Sequence, residues 1–160
     1  AFLIIVFSLA AAIALGIAML PFAAKAAGSD SGSSSGSGYT MAAASKEMRK
    51  ATVMIKNKDY AGALTFLEAE IAKNPDNADA WNLTGFASRN LGDYAASEVA
   101  YDKALAIDPK HKGALEYQGE LFLMRGEKDA AHANLEKLDK ICWMGCNEYD
   151  VLKKAINESQ

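Results

Sequence analysis

Residues 80–109 read AWNLTGFASRNLGDYAASEVAYDKALAIDP, and this stretch decides the fold. Its first half carries the bulky residues Trp81, Leu83, Phe86 and Leu91 among small or polar ones. Gly85 and Ala87 let a neighbouring helix approach closely. Asn90-Leu91-Gly92-Asp93 is a helix stop followed by a restart: Gly92 suits a left-handed C-terminal position and Asp93 can cap the next helix. Residues 94–107 then form a second helix, with Ala95, Val99, Tyr101, Ala104 and Leu105 available for packing. Asp108-Pro109 ends it, because proline disfavours helical geometry in the residue before it. The stretch is a helix-turn-helix unit.

The unit recurs on both sides at an offset of 34 residues. Ala51 maps to Gly85 and Gly119, Asp59 to Asp93 and Glu127, Ala63 to Ser97 and Ala131, and Leu67 to Tyr101 and Leu135. Tyr60 maps to Tyr94, Pro75 to Pro109, and Gly92 to Gly126. A fixed period of this size is the mark of a stacked helical repeat. The expected fold is all-α, with three units over residues 44–77, 78–111 and 112–145 and a C-terminal cap and tail over 146–160. In the cap, Tyr149, Leu152 and Ile156 recur at helical spacing while Lys153 and Lys154 face out, the pattern of a helix that closes a solenoid with a polar outer face.

The central unit closely resembles the tetratricopeptide repeat, with Trp81, Gly85, Tyr101, Ala104 and Pro109 at that family's spacing. It departs at Thr84 and Ser88. The first unit is degenerate: Ala51, Ala63, Leu67 and Pro75 fit, whereas Glu47 and Glu70 do not. The third keeps Gly119, Phe122 and Ala131 and lacks the final proline. The resemblance implies a right-handed solenoid that binds other proteins and has no enzymatic activity.

The concave groove is the default binding surface of such a solenoid. In proteins similar to this family the first helix of each repeat lines it. The matching positions are Met48, Thr52, Ile55 and Lys56, then Asn82, Phe86, Arg89 and Asn90, then Glu116, Glu120, Leu123 and Met124. The groove is therefore expected to mix Asn and Arg with a few apolar anchors and to be acidic at one end. Arg89 with Asn82 is placed to hold a carboxylate or a backbone peptide. The family's basic groove that grips acidic C-terminal tails is not reproduced.

Outside the repeats the chain changes character. Residues 1–24 contain no charged side chain. The run AFLIIVFSLAAAIALGIAML over residues 1–20 is followed by Pro21 and then Ala24-Lys25-Ala26, a small-residue cleavage site of the secretory kind. The run is also long enough for a membrane anchor. Residues 1–26 are thus a signal peptide or a membrane tether, and both readings place the remainder outside the cytoplasm, in the periplasm. The chain begins at Ala1 with neither a Met nor a basic stretch, so further residues are expected before it. GSDSGSSSGSG over residues 28–38 cannot bury enough apolar surface to order itself, and residues 27–43 are read as a flexible linker.

Several chemistries are disfavoured. The 160 residues carry a formal net charge of -3, which gives no basic patch for nucleic acid. No nucleophile elbow, phosphate loop or paired-carboxylate cleft is evident. His111 follows the Asp-Pro stop and is expected to be solvated, and His132 to be an ordinary helix-surface residue. No cofactor or metal is expected. Cys142 and Cys146 lie in ICWMGCNEY, and outside the cytoplasm such a pair is usually oxidised. Gly145 breaks the helix between them, so a disulfide pinning the cap helix is the favoured reading. Free thiols, a redox-active pair, and a copper(I) site using Cys142, Met144 and Cys146 are the alternatives. Met124 is expected to serve packing and Met144 to fill a turn. A self-associating scaffold, in which one repeat end stacks on a second copy, is the remaining alternative function.

Overall fold

A computed structural model of the chain describes residues 44–159. The signal peptide or anchor expected over residues 1–26 and the linker expected over residues 27–43 lie outside the described residues.

Among the described residues the regular elements are helices: α1 (Lys46–Lys56), α2 (Tyr60–Lys73), α3 (Ala78–Asn90), α4 (Tyr94–Ile107), α5 (Lys112–Met124), α6 (Lys128–Ile141) and α7 (Asn147–Glu158). None of them is long and apolar enough to cross a membrane. The starts of α1 to α5 are fixed by a side chain that satisfies an otherwise orphaned backbone N–H, whereas α6 and α7 start without such a bond. Ser45 accepts from Met48 N, Asp59 from Gly62 N, Asn77 from Ala80 N and Asp93 from Ala96 N. The turns within the second and third pairs use the left-handed region at Gly92 (φ 84°) and Gly126 (φ 79°). The first pair uses Lys58 there instead, at φ 59°.

Helices pack as α1 on α2, α3 on α4 and α5 on α6, while α2 bridges to α3 and α4 to α5. The last helix, α7, packs on both α5 and α6. The core runs through the stack in three clusters. The first holds Met48, Ala51, Ala63, Leu67 and Ala80; the second Tyr101, Ala104, Ala114 and Leu121; the third Leu115, Ala131, Leu138, Leu152 and Ile156. Two glycines set the closest approaches: a Cβ on Gly85 would lie 2.6 Å from the Tyr101 ring, and one on Gly119 would lie 2.6 Å from Leu152. The buried ring and the cap helix therefore need those positions bare.

Three expectations are corrected here. His111 is buried, not solvated: its Nδ1 accepts from Ala114 N at 3.0 Å as the cap of α5, and its Nε2 lies 3.0 Å from Asp79 Oδ1. Met124 does not pack; it is 55% exposed, whereas Met144 lies in a turn as expected and is 78% exposed. Val99 also points to solvent. Glu70, a misfit to the repeat pattern, is buried and used. It accepts from Asn74 Nδ2 at 2.9 Å, from Asn77 Nδ2 at 2.8 Å and from Ser45 Oγ, tying the start of α1 to the turn between α2 and α3.

Candidate functional site

The first helices of successive units lie side by side, α3 against α5 and α5 against α7. Residues one turn apart on α3 therefore face residues one turn apart on α5. Arg89 Nη1 meets Glu120 Oε2 at 2.5 Å and the Tyr117 carbonyl oxygen at 3.2 Å. Its guanidinium carbon lies 5.6 Å from the Phe86 ring centre and 5.5 Å from that of Tyr117, within cation–π reach of both. Phe86 packs on Tyr117 at 5.1 Å and on Tyr60 at 6.1 Å. Phe86, Arg89 and Glu120 thus come together in one cluster.

Below that cluster the helices open into a cleft of about 700 Å³. It is lined by Arg89, Asn90, Tyr94, Glu120, Leu123 and Met124 together with Ala155, Glu158 and Ser159. Asn90 donates from Nδ2 to the Phe86 carbonyl oxygen at 2.8 Å and stays exposed.

Other expected groove residues sit differently. Met48 is buried in the first core cluster, and Ile55 packs against it. Thr52 turns its hydroxyl back to the Met48 carbonyl oxygen at 2.8 Å, which commits it to its own helix. Lys56 is exposed at the far end of α1. Asn82 and Glu116, expected to line an open groove, are only 4% and 5% exposed, because the approach of α3, α5 and α7 covers them. Arg89 and Asn82 do not form a ready carboxylate cradle: Arg89 is engaged by Glu120, and the buried Asn82 Oδ1 has no partner among the described residues.

Glu116 is electrostatically unusual. Burial pushes its carboxyl up to about 8; Glu120 and Glu148 add to that shift and Arg89 opposes it. Sequence reasoning missed Tyr60, Tyr117 and Glu148. Tyr117 follows Glu116 directly, so an aromatic beside a groove position was the available signal. Glu148 offered none, since its place depends on how α7 returns to α5.

At the far end, Cys142 Sγ and Cys146 Sγ lie 2.07 Å apart, with Gly145 at φ 88° between them. Met144 points away into solvent. Among the described residues no group of three or more His, Cys, Asp or Glu is placed to hold a metal.

A model of the tetratricopeptide repeat family matches residues 48–112 and 87–140, which together span more than half of the chain. The chain is 37% identical over 68 residues to a TPR repeat-containing protein of Rhizobium etli, covering 42% of this chain and 33% of that protein. It is 39% identical over 54 residues to the Hsp70-Hsp90 organizing protein of Triticum aestivum, covering 34% of this chain and 9% of that one. It is 35% identical over 74 residues to Protein FlbA of Caulobacter vibrioides, covering 46% of this chain and 12% of that one. The chain therefore spans a third or less of the length of these relatives. The Arabidopsis OM64 TPR domain superposes with a TM-score of 0.64 at 20% identity, over 71% of this chain and 93% of that domain.

Proposed function

The chain belongs to the tetratricopeptide repeat family, and from that premise we propose that it is a non-enzymatic adaptor of the periplasm that holds a peptide or helix of a protein partner along the α3–α5–α7 face. One observation carries the reading: the cleft of about 700 Å³ beside the Arg89–Glu120 pair. It combines the exposed apolar Met124 with polar groups at its rim, the mix that a peptide-binding surface needs. The location rests on the apolar run over residues 1–20, the small-residue site at Ala24-Lys25-Ala26 and the Cys142–Cys146 pair. Residues 1–24 supply either the export signal or a tether.

The test is a pull-down from the native cell envelope with the full chain in non-ionic detergent. An Asn90→Ala, Met124→Lys double variant changes two exposed cleft residues, and Val99→Lys changes an exposed residue elsewhere. A partner retained by the wild type and by Val99→Lys but lost by the cleft variant is the expected result. A partner list that is the same for all three removes the cleft from the reading.

A further inference from the structure

We propose that this chain binds a second copy of itself head to tail, the Trp143-Met144 turn of one copy entering an apolar cleft between α2, α3 and α4 of the next. That cleft shares no residue with the one beside Arg89 and Glu120.

The cleft comes from the side chains at one junction. Positions 68, 84 and 100 recur 34 residues later as 102, 118 and 134. Between the second and third units these are Asp102, Gln118 and Asn134. Gln118 Nε2 donates to Asp102 Oδ1 at 2.7 Å and Asn134 Nδ2 donates to Gln118 Oε1 at 2.9 Å, so long polar side chains close that junction. Between the first and second units the same positions are Glu68, Thr84 and Ala100. Thr84 turns its hydroxyl back to the Ala80 carbonyl oxygen at 2.8 Å, and Ala100 is too short to reach across. A cleft of about 610 Å³ stays open there, lined also by Ile71, Trp81 and Val99. Trp81 donates from Nε1 to the Pro75 carbonyl oxygen at 2.8 Å, which fixes its ring as an apolar wall. Val99 is 58% exposed.

The occupant is the other apolar feature without a use in the fold. Trp143 and Met144 are the most exposed large apolar side chains among the described residues. Their turn is closed by the Cys142–Cys146 contact, with Gly145 in the left-handed region. A knob held in this way loses little freedom on docking, and Trp and Met are residue types enriched at interface cores. The turn joins α6 to α7, whose principal neighbours are α5 and each other, whereas the cleft lies among α2, α3 and α4. Knob and cleft therefore meet only between copies. Charge agrees with the pairing. Glu68 is the one charged residue that lines the cleft, and Lys140 stands in the last turn of α6 just before the knob. Neither forms an ion pair with another described residue, and their signs are opposite. Because knob and cleft are different patches, the contact is heterologous and leaves one of each free at the two ends of an assembly.

The experiment uses the full chain in non-ionic detergent, with light scattering to give the protein mass within the micelle. Wild-type mass rises with concentration, and the association is weak, since one turn in one cleft is less than a standard interface. Val99→Lys blocks the cleft and Trp143→Ser removes the knob, both at exposed positions. Each alone weakens self-association at least about tenfold, the effect of losing an interface anchor. An equimolar mixture of the two variants associates again and stops at one-to-one pairs, because each pair has one working knob and one working cleft. A carbodiimide, applied to isotope-labelled and unlabelled wild type together, joins Lys140 of one copy to Glu68 of the other. This readout needs no variant. A wild type that stays monomeric up to about 1 mM, the weak end of specific binding, overturns the proposal. So does a variant mixture that stays monomeric, or association that survives both variants, which would run through another face. Loss with Trp143→Ser alone gives the turn another occupant, loss with Val99→Lys alone gives the cleft another, and either result overturns it too.

Discussion

Arg89 on α3 and Glu120 on α5 meet at 2.5 Å with side chains only 10% and 27% exposed, and the pair is sandwiched against Phe86 and Tyr117. This contact ties the second unit to the third and leaves Glu116 without its own cation. Removing one partner of a shielded pair strands the other charge, which costs more than removing both. Arg89→Ala is expected to lower stability by about 2–3 kcal/mol, somewhat under the range for fully buried pairs because Glu120 keeps some solvent. The Arg89→Ala, Glu120→Ala double variant should lose less than Arg89→Ala alone. Urea unfolding of the three proteins measures this, and a double variant that loses the sum of both singles would show that the two residues are not coupled.

Glu116 should give the protein a stability loss on the alkaline side. Its folded value of about 8 lies above the ordinary 4.5, so the folded state holds the proton more tightly than the unfolded state. The contribution is fully present below pH 4.5 and is lost as pH rises through 8. Its ceiling is about 4–5 kcal/mol at 1.36 kcal/mol per unit. Glu116→Gln removes the titrating group, so wild type minus variant stability should fall between pH 5 and pH 9. A difference that stays flat across that window refutes the assignment.

Glu70 acts in the opposite sense and in another window. Burial works to raise its pKa, but hydrogen bonds from Ser45, Asn74 and Asn77 outweigh it and hold the carboxyl below the ordinary range. The stability it adds is present above pH 4.5 and is lost as pH falls through its lower folded value. Glu70→Gln cannot accept from all three donors as a charged group does, and should cost about 1–3 kcal/mol at pH 7. The gap between wild type and variant should narrow on acidification toward pH 3, as followed by urea unfolding at each pH. A gap that widens would rule the network out as the cause.

These residues show what the sequence could and could not disclose. The helix pairs were legible because their signals are local: Gly92 takes the left-handed turn, Asp93 caps α4 through Ala96 N, and Pro109 follows where α4 stops. The site was legible only as a register. Asn82, Phe86 and Arg89 share one helix face by spacing, but whether each is open or covered depends on α5 and α7, which arrive from far along the chain. His111 misled for the same reason: its neighbour Pro109 suggested solvent, while its partner Asp79 lies 32 residues away. Glu70 read as a misfit because its donors Ser45 and Asn77 belong to other elements.

Lys58 occupies the turn position that Gly92 and Gly126 fill in the later units, at φ 59°. A side chain there pays for contact between its Cβ and the backbone, about 1 kcal/mol, which glycine avoids. Lys58→Gly should therefore raise stability by about 0.5–1 kcal/mol, after allowing for the greater freedom of glycine in the unfolded chain. A thermal melt measures it against wild type. A lower melting temperature would mean that the Lys58 side chain contributes something its exposure does not reveal.

The Cys142–Cys146 contact makes the last prediction, and it separates two roles for that end of the molecule. The sulfurs are at bonding distance and the residues are four apart in sequence, so the closed loop is very short. Closing so short a loop restricts the unfolded chain little, and the loop-entropy relation gives about 2 kcal/mol as the gain. Intact mass of the chain isolated from the envelope with its thiols trapped should be lower than that of the reduced chain by two hydrogens. Cys142→Ser, Cys146→Ser should lose about 2 kcal/mol in urea unfolding, with the loss concentrated in hydrogen exchange of α7, since Cys142 ends α6 and Cys146 begins α7. Partner capture through the cleft should be unchanged, because neither cysteine lines it. If the variant keeps its stability but loses the partner, the pair belongs to the interaction and not to the cap. That outcome would move the binding surface toward Trp143 and Met144, which stand 81% and 78% exposed between the two cysteines.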